Sequence, residues 1–233
     1  MKEEKKFQTD YFSYLEQIEN STRYTIAIDY LNRIYKNTSF DLLDLGCGNG
    51  ILSKYIDSNT QYIGLDHNKY AIEYANSRYK DSNKKFIQGN NVDFLEKETK
   101  EYDAIVLCGI LYHVIDINSN EKYNDVHFLE SCLKRLKKNG YLIVIAPFAY
   151  TRDEYDFLKQ ANWKYDSTME IISKLDSLKE KVVFENIAKQ LKIENYISQQ
   201  DIKPEWFIEE DSTIPTSRFH GKYLGSWTII IKK

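Results

Sequence analysis

Apolar and polar positions along this chain switch period repeatedly, and each switch marks an element. Phe40 to Leu45 is a strand-length apolar run carrying only Asp41 and Asp44. Ile51, Leu52, Tyr55 and Ile56 then fall at helical spacing, which predicts a helix near 50–56. The alternation continues with a strand at 62–65, a helix at 69–79, a strand at 85–88, a short helix at 92–98 and a strand at 103–108. Strands alternating with helices predict a parallel sheet covered on both faces. In such sheets ligands bind beyond the carboxyl ends of the strands.

The flanks read less cleanly. Phe7, Tyr11, Leu15 and Ile18 share one helical face, and Ile26, Tyr30, Leu31 and Ile34 predict a second helix with Ser21 as its cap. Val126, Leu129, Leu133 and Leu136 form another helical face, with Ser119 or Asn120 at its start. Lys137, Lys138 and Gly140 should mark its end, as cations and a C′ glycine do. Tyr141 to Ala146 is a buried strand. Residues 147–180 look like an insertion rich in aromatics, with a capping box at Ser167-Thr168-Met169-Glu170. Leaving the carboxyl end of the fifth strand, this insertion is placed to cover a site. Residues 181–191 predict a last helix, Ile193 to Ser198 a sixth strand, and Gly225 to Ile231 a final strand.

The chemistry concentrates where the first strand ends. Asp44-Leu45-Gly46-Cys47-Gly48-Asn49-Gly50 has the form D-x-G-x-G-x-G. Glycines permit a close backbone approach to a ligand, and a helix start adds unpaired N–H groups. The dinucleotide fingerprint G-x-G-x-x-G would put its third glycine at position 51, which is Ile51, so a nicotinamide dehydrogenase is disfavoured. A second strand-like run, Tyr62-Ile63-Gly64-Leu65, ends at Asp66, 20 residues after Gly46. An acid at that distance can accept hydrogen bonds from ribose hydroxyls.

On these residues the chain resembles the class I S-adenosylmethionine-dependent methyltransferases, in their small-molecule branch. The resemblance covers roughly residues 40–146 and includes Leu-Lys-Lys-Asn-Gly-Tyr-Leu-Ile-Val, similar to the family's fifth-strand turn. It implies a single α/β domain, with a Rossmann-like, doubly wound, mostly parallel sheet of seven strands. The last strand would be antiparallel, between the fifth and sixth, with helices on both faces. Residues 1–39 would be a helical cap, 40–146 the cofactor core, 147–180 a substrate lid, and 181–233 a helix and strand pair.

The resemblance also assigns site roles. S-adenosyl-L-methionine is the implied cofactor. Asp44, Gly46, Cys47, Gly48 and Gly50 would cradle its methionine end, and Asp66 its ribose. His67, Asn90, Asn91 and Val92 would border the adenine, and Cys108 is a further cofactor-binding candidate. Asn90 or Asn91 stands where the family has an acid, and an amide oxygen can accept from an adenine amine. His113, in Leu-Tyr-His-Val after the fourth strand, is the candidate general base, with His220 as second choice. Tyr11, Tyr24, Tyr112, Arg152, Trp163 and Arg218 are substrate candidates. The expected acceptor is an oxygen, with nitrogen second, on a polar small molecule such as a sugar, nucleotide-linked sugar or surface-glycan precursor. A nucleic-acid or protein methyltransferase and a non-catalytic cofactor-binding subunit are the alternatives. No Asn/Asp-Pro-Pro-aromatic motif follows the fourth strand, and Cys108 precedes Gly109 instead of following a proline.

Composition narrows this further. The 233 residues carry a net charge of −3, and the sequence pI is near 5.9. No nucleic-acid partner is expected, because such domains are basic. Cys47, Cys108 and Cys132 form no C-x-x-C, which speaks against a zinc site or disulfide framework and suits a reducing cytoplasm. Only Asp116 lies close to the fourth-strand turn, so no metal is expected. No apolar signal core follows the charged N-terminus, and no run approaches the ~18 apolar residues of a membrane span.

Overall fold

A computed structural model describes residues 18–36, 38–110, 125–148, 182–188 and 225–233. Among these residues seven strands form one sheet: β1 Phe40–Leu45, β2 Thr60–Asp66, β3 Lys84–Gln88, β4 Tyr102–Cys108, β5 Leu136–Phe148, β6 Val182–Ala188 and β7 Gly225–Lys232. Their order is β3-β2-β1-β4-β5-β7-β6. The pairs among β1 to β5 are parallel. β7 runs antiparallel to both β5 and β6 and lies between them, as the resemblance implied. The helices are α1 Ile18–Ile34, α2 Lys69–Tyr79, α3 Asn91–Lys97 and α4 Asp125–Lys134.

Side-chain alternation along the strands builds two cores. Leu43, Leu45, Leu65, Ile105, Leu107, Leu142 and Val144 point to one face, where Leu95 of α3 and Phe128, Leu129 and Cys132 of α4 cover them. Phe40, Leu42, Tyr62, Phe86, Ala104, Val106 and Ile143 point to the other, beneath α1 and α2. A parallel sheet buried on both faces needs such near-continuous apolar strands.

Four predicted elements are corrected. The helix expected near 50–56 is a 3-10 helix, Ile51–Tyr55, entered from Gly50 in a left-handed conformation. Ser21 lies inside α1 and is not its cap. α1 buries Tyr24, Ala27, Ile28 and Leu31, while Ile34 is 37% exposed. The helix expected at 181–191 is strand β6 over Val182–Ala188. Val182, Val183 and Ile187 are β-branched, and β7 offers an edge to pair with. Residues 193–198, the expected sixth strand, lie outside the described residues, as does the 147–180 insertion beyond Phe148.

The fourth correction concerns the end of α4. The helix stops at Lys134, and Leu136 already pairs with Tyr102 in the sheet. The register then jumps, so that Ala104 pairs with Tyr141, and Asn139 takes a φ of 65° within the bulge. Gly140 is not a helix cap. A Cβ there would stand 2.9 Å from the Lys137 carbonyl oxygen and 3.0 Å from that of Asp103. The bulge delivers Lys137 to the amino edge of the sheet. Its Nζ lies 2.9 Å from Asp41 Oδ2 and 2.8 Å from Asp103 Oδ2. Lys100 Nζ completes the cluster, 2.7 Å from Asp41 Oδ1. Burial pushes the Asp41 carboxyl up, but the hydrogen bonds from Lys100 and Lys137 outweigh it and hold the group below its usual range. Lys137→Met should leave two carboxylates facing each other across β1 and β4. Denaturant unfolding should show a loss of about 1–2 kcal/mol, since these groups are only partly buried, and a smaller loss at high salt.

Candidate active site at the carboxyl edge

The chain moves outward from β1 to β2 and β3, then returns to β4 on the other side of β1. That reversal leaves a crevice at the carboxyl end of β1, the usual ligand position in such sheets. The glycine turn occupies it. Gly46, Gly48 and Gly50 have φ of 72°, 54° and 80°, a region that other L-residues enter at a cost of about 1–2 kcal/mol.

Packing accounts for two of these glycines. A Cβ on Gly46 would fall 2.2 Å from Ile110 Cγ2, in the segment after β4. A Cβ on Gly50 would fall 2.8 Å from Phe86 Cε1 and 2.9 Å from Ala75 Cβ. Gly48 works through its backbone, donating its N–H to Asp66 Oδ2 at 2.9 Å. The turn is also clamped to β2. Gly46 N and Cys47 N both donate to the Leu65 carbonyl, at 2.8 and 2.9 Å. Gly89 N donates to the Asp66 carbonyl at 2.9 Å, and Gly109 N to that of Ile145 at 2.8 Å. The turns after β1, β3 and β4 are thus each tied to a neighbouring strand.

Two acids stand at this edge. Asp66 is 6% exposed. Its Oδ1 accepts from Asn68 N at 2.8 Å, and its Oδ2 from Gly48. A carboxylate offers about four acceptor positions, so two remain. Asp44 is 2% exposed. Its Oδ2 accepts from the Tyr62 hydroxyl at 2.7 Å, while its Oδ1 is buried with no partner. Burial pushes the Asp44 carboxyl up to about 7, the Tyr62 hydrogen bond opposes this, and the charge of Asp66 adds to it. Cys47 is half-buried with its sulfur turned inward, and burial holds its thiol well above the usual range. It is no nucleophile at neutral pH.

The adenine-side candidates separate. Asn90 caps α3, its side-chain oxygen accepting from Val92 N at 2.8 Å and Asp93 N at 3.2 Å. That oxygen is spent on the helix. The Asn91 Oδ1 atom is buried without a partner, and Val92 packs on the core under α3. The His67 side chain is 80% exposed, with Nδ1 3.5 Å from Asp66 Oδ1. Cys108 ends β4 opposite Ile145. A cleft of about 420 Å³ opens beside this turn, lined by Leu65, Ile87, Gly89, Asn90, Phe94 and Lys97. It lies between β3 and α3, and Gly46, Gly48 and Gly50 do not line it.

Tyr24, expected near substrate, is instead a core residue, 8% exposed and stacked on Tyr55 with centroids 6.3 Å apart. Helical spacing put it on the buried stripe of α1. His113, His220, Tyr11, Tyr112, Arg152, Trp163 and Arg218 lie outside the described residues. Tyr62, whose hydroxyl reaches Asp44, lies in an apolar strand run and reads from sequence as purely structural. The signal was the glycine two residues later, which clears a path for its hydroxyl. Among the described residues no group of His, Cys, Asp and Glu is arranged to hold a metal ion. Among them, too, no helix is long and apolar enough to cross a membrane.

Because the folded value of Asp44 lies above the ordinary 3.8, the folded chain keeps a proton that the unfolded chain loses across about pH 4–7. This group's stabilisation is full below about pH 4 and falls as pH rises to about 7. Asp44→Asn should flatten that part of the stability–pH curve, which otherwise slopes by at most about 1.4 kcal/mol per pH unit. Thermal unfolding across pH measures it.

Comparison with known proteins places this geometry. A family model described as "Methyltransferase domain" matches residues 36–211. A putative methyltransferase 235L of Invertebrate iridescent virus 6 is 25% identical over 147 residues, 61% of this chain and 51% of that protein. The ubiquinone biosynthesis O-methyltransferase of Pelagibacter ubique (strain HTCC1062) is 32% identical over 117 residues, 50% of this chain and 45% of that protein. The chain thus spans about half the length of the curated relatives it matches. Among solved structures, the plantazolicin methyltransferase BamL, crystallised with a triazolic desmethylPZN analog and SAH, superposes with a TM-score of 0.60 at 15% identity, covering 95% of this chain and 88% of that one. The N-methyltransferase NodS from Bradyrhizobium japonicum WM9 gives 0.55 at 14% identity, covering 92% and 99%. At these identities the structures share the fold alone.

Proposed function

The chain belongs to the family of S-adenosylmethionine-dependent methyltransferase domains, and from that premise we propose that it methylates a hydroxyl oxygen of a polar small molecule. One observation carries the reading: a left-handed glycine turn whose Gly48 N–H is held by Asp66, at the topological reversal of the sheet. The residues present suit the cofactor. Asp66 has acceptor capacity left for ribose hydroxyls. Asn91, whose oxygen is buried and orphaned, is the better acceptor for an adenine amine, because Asn90 has spent its own on α3. Asp44 places a carboxyl behind the turn that would take the amino-acid end.

When bound, the cofactor supplies an electrophilic methyl on a sulfonium, with a neutral sulfide as leaving group. The chain's own task is then to align an acceptor, exclude water and accept one proton. Alignment alone supplies several kcal/mol in such reactions, which is why no elaborate catalytic cluster is needed. His113 is the residue we assign to take the acceptor's proton, with His220 second. The O-methyltransferase name of the Pelagibacter relative supports oxygen over nitrogen; the N-methyltransferase name of NodS keeps nitrogen as the second reading. Sugars and nucleotide-linked sugars are the acceptor class we assign to Arg152, Trp163 and Arg218. We keep 1–39 as a cap and 147–180 as a lid within one domain.

Calorimetric titration should show binding of S-adenosylmethionine and S-adenosylhomocysteine and none of NAD. Binding of NAD alone would overturn the reading. With a hydroxyl acceptor, His113→Ala should lower turnover by about 10²–10⁴-fold. Near-normal rates at every pH would remove it as the base.

A further inference from the structure

Tyr62 reaches this edge from within β2, and no cofactor contact has been assigned to it. It is 1% exposed, and a tyrosine buried this deeply needs a partner for its hydroxyl. The ring runs up the sheet face toward the carboxyl edge, braced edge-on by Phe86 with centroids 5.6 Å apart. It passes over Gly64, where a Cβ would stand 2.9 Å from the Tyr62 hydroxyl and 2.9 Å from Cys47 Sγ. The missing side chain at 64 is what lets the hydroxyl reach Asp44 Oδ2, at 2.7 Å. The sequence Tyr-x-Gly on β2 and Asp-x-Gly on β1 therefore act as one device.

Its effect is electrostatic. Among the described residues, the titratable groups that face Asp44 are Tyr62 and Asp66 of β2 and Cys47 of the turn, and Tyr24 of α1 acts on Tyr62 in turn. Burial and Asp66 favour the neutral carboxyl. The Tyr62 hydrogen bond favours the ionised one. The second oxygen, buried and unpartnered, leaves this balance open to whatever charge arrives next. In a low-dielectric site a charge a few ångströms away has a large effect. The methyl donor carries a sulfonium, whereas the product carries a neutral thioether; the rest of the two molecules is the same.

We propose that Tyr62 is a positioning residue that steadies a negative charge on Asp44 behind the glycine turn, so that the site favours the cationic methyl donor over its neutral product. The inference rests on the methyltransferase reading above. With the donor bound, Asp44 would give up its proton to solvent; with the neutral product bound, it would take a proton back from solvent and the product would be held less firmly. Asp66, in contrast, already accepts N–H bonds from both sides.

The test is calorimetry of S-adenosylmethionine and S-adenosylhomocysteine with the whole chain, at about pH 6, 7 and 9, in buffers of different ionisation enthalpy that count protons. The α-amino group is common to both ligands and cancels in the difference. Wild type should release more protons with the donor than with the product near pH 7, and its preference for the donor should grow with pH. Tyr62→Phe should weaken donor binding at pH 7 by about tenfold, the loss of one hydrogen bond to a charged group, with recovery by about pH 9 and little change for the product. Asp44→Asn, which keeps the Tyr62 bond and the packing, should show a small preference that does not vary with pH. Equal weakening of both ligands by Tyr62→Phe at every pH would make the tyrosine merely structural and overturn the inference. So would equal proton release for the two ligands in wild type, a result that needs no variant to fold. If wild type binds neither ligand, the methyltransferase reading itself fails; if it binds both with equal proton release, this inference fails alone.

Discussion

The carboxyl edge depends on the end of β2. Leu65 presents a carbonyl that accepts two N–H groups from the glycine turn, and Asp66 presents a carbonyl to Gly89 and a carboxylate to Gly48 and Asn68. Backbone groups buried at a strand end must find partners, and here those partners belong to the turns that border the site. Ligand-facing loops are normally the least constrained part of a fold. These are tied to the neighbouring strands by backbone hydrogen bonds.

The glycines illustrate how much of a ligand motif is set by the protein's own packing. Gly46 is required by Ile110 and Gly50 by Phe86 and Ala75, all of them buried side chains. Gly48 alone turns its backbone to a group that would meet the cofactor. A motif read as a cradle is first a solution to a crowding problem, in which a strand, a 3-10 helix and the segment after β4 converge on a few ångströms. The cradle is what that solution leaves open.

The two edges of the sheet manage charge in opposite ways. At the amino edge, Asp41 and Asp103 are neutralised by Lys137 and Lys100, and the cluster ties β1, β4 and β5 together. At the carboxyl edge, Asp44 and Asp66 stand close with no cation among the groups that set the titration of Asp44. Two carboxylates sharing a buried site favour protonation of one of them. Burial and the neighbouring Asp66 charge act on Asp44 in the same direction, and the Tyr62 hydroxyl opposes them.

The strand–helix alternation, the glycine turn with its leading acid, and Asp66 were legible in the sequence, because each rests on a local rule of period, steric permission or spacing. The resemblance that implied the family and the cofactor rests on those residues. Elements with conflicting or absent local signals were not legible. Leu136 fits a helical face as well as a strand, and only the pull of Asp41 and Asp103 on Lys137 and the closeness of Gly140 to two carbonyls placed it in β5. Val182 to Ala188 became a strand because β7 had an edge to pair. Tyr24 sank into the core because α1 turned that side to the sheet. Which of Asn90 and Asn91 caps α3 was undecidable from their order, since it depends on where the first turn of the helix begins. The bond between Tyr62 and Asp44 joins residues 18 apart through a gap left by Gly64, and only strand pairing brings those three together.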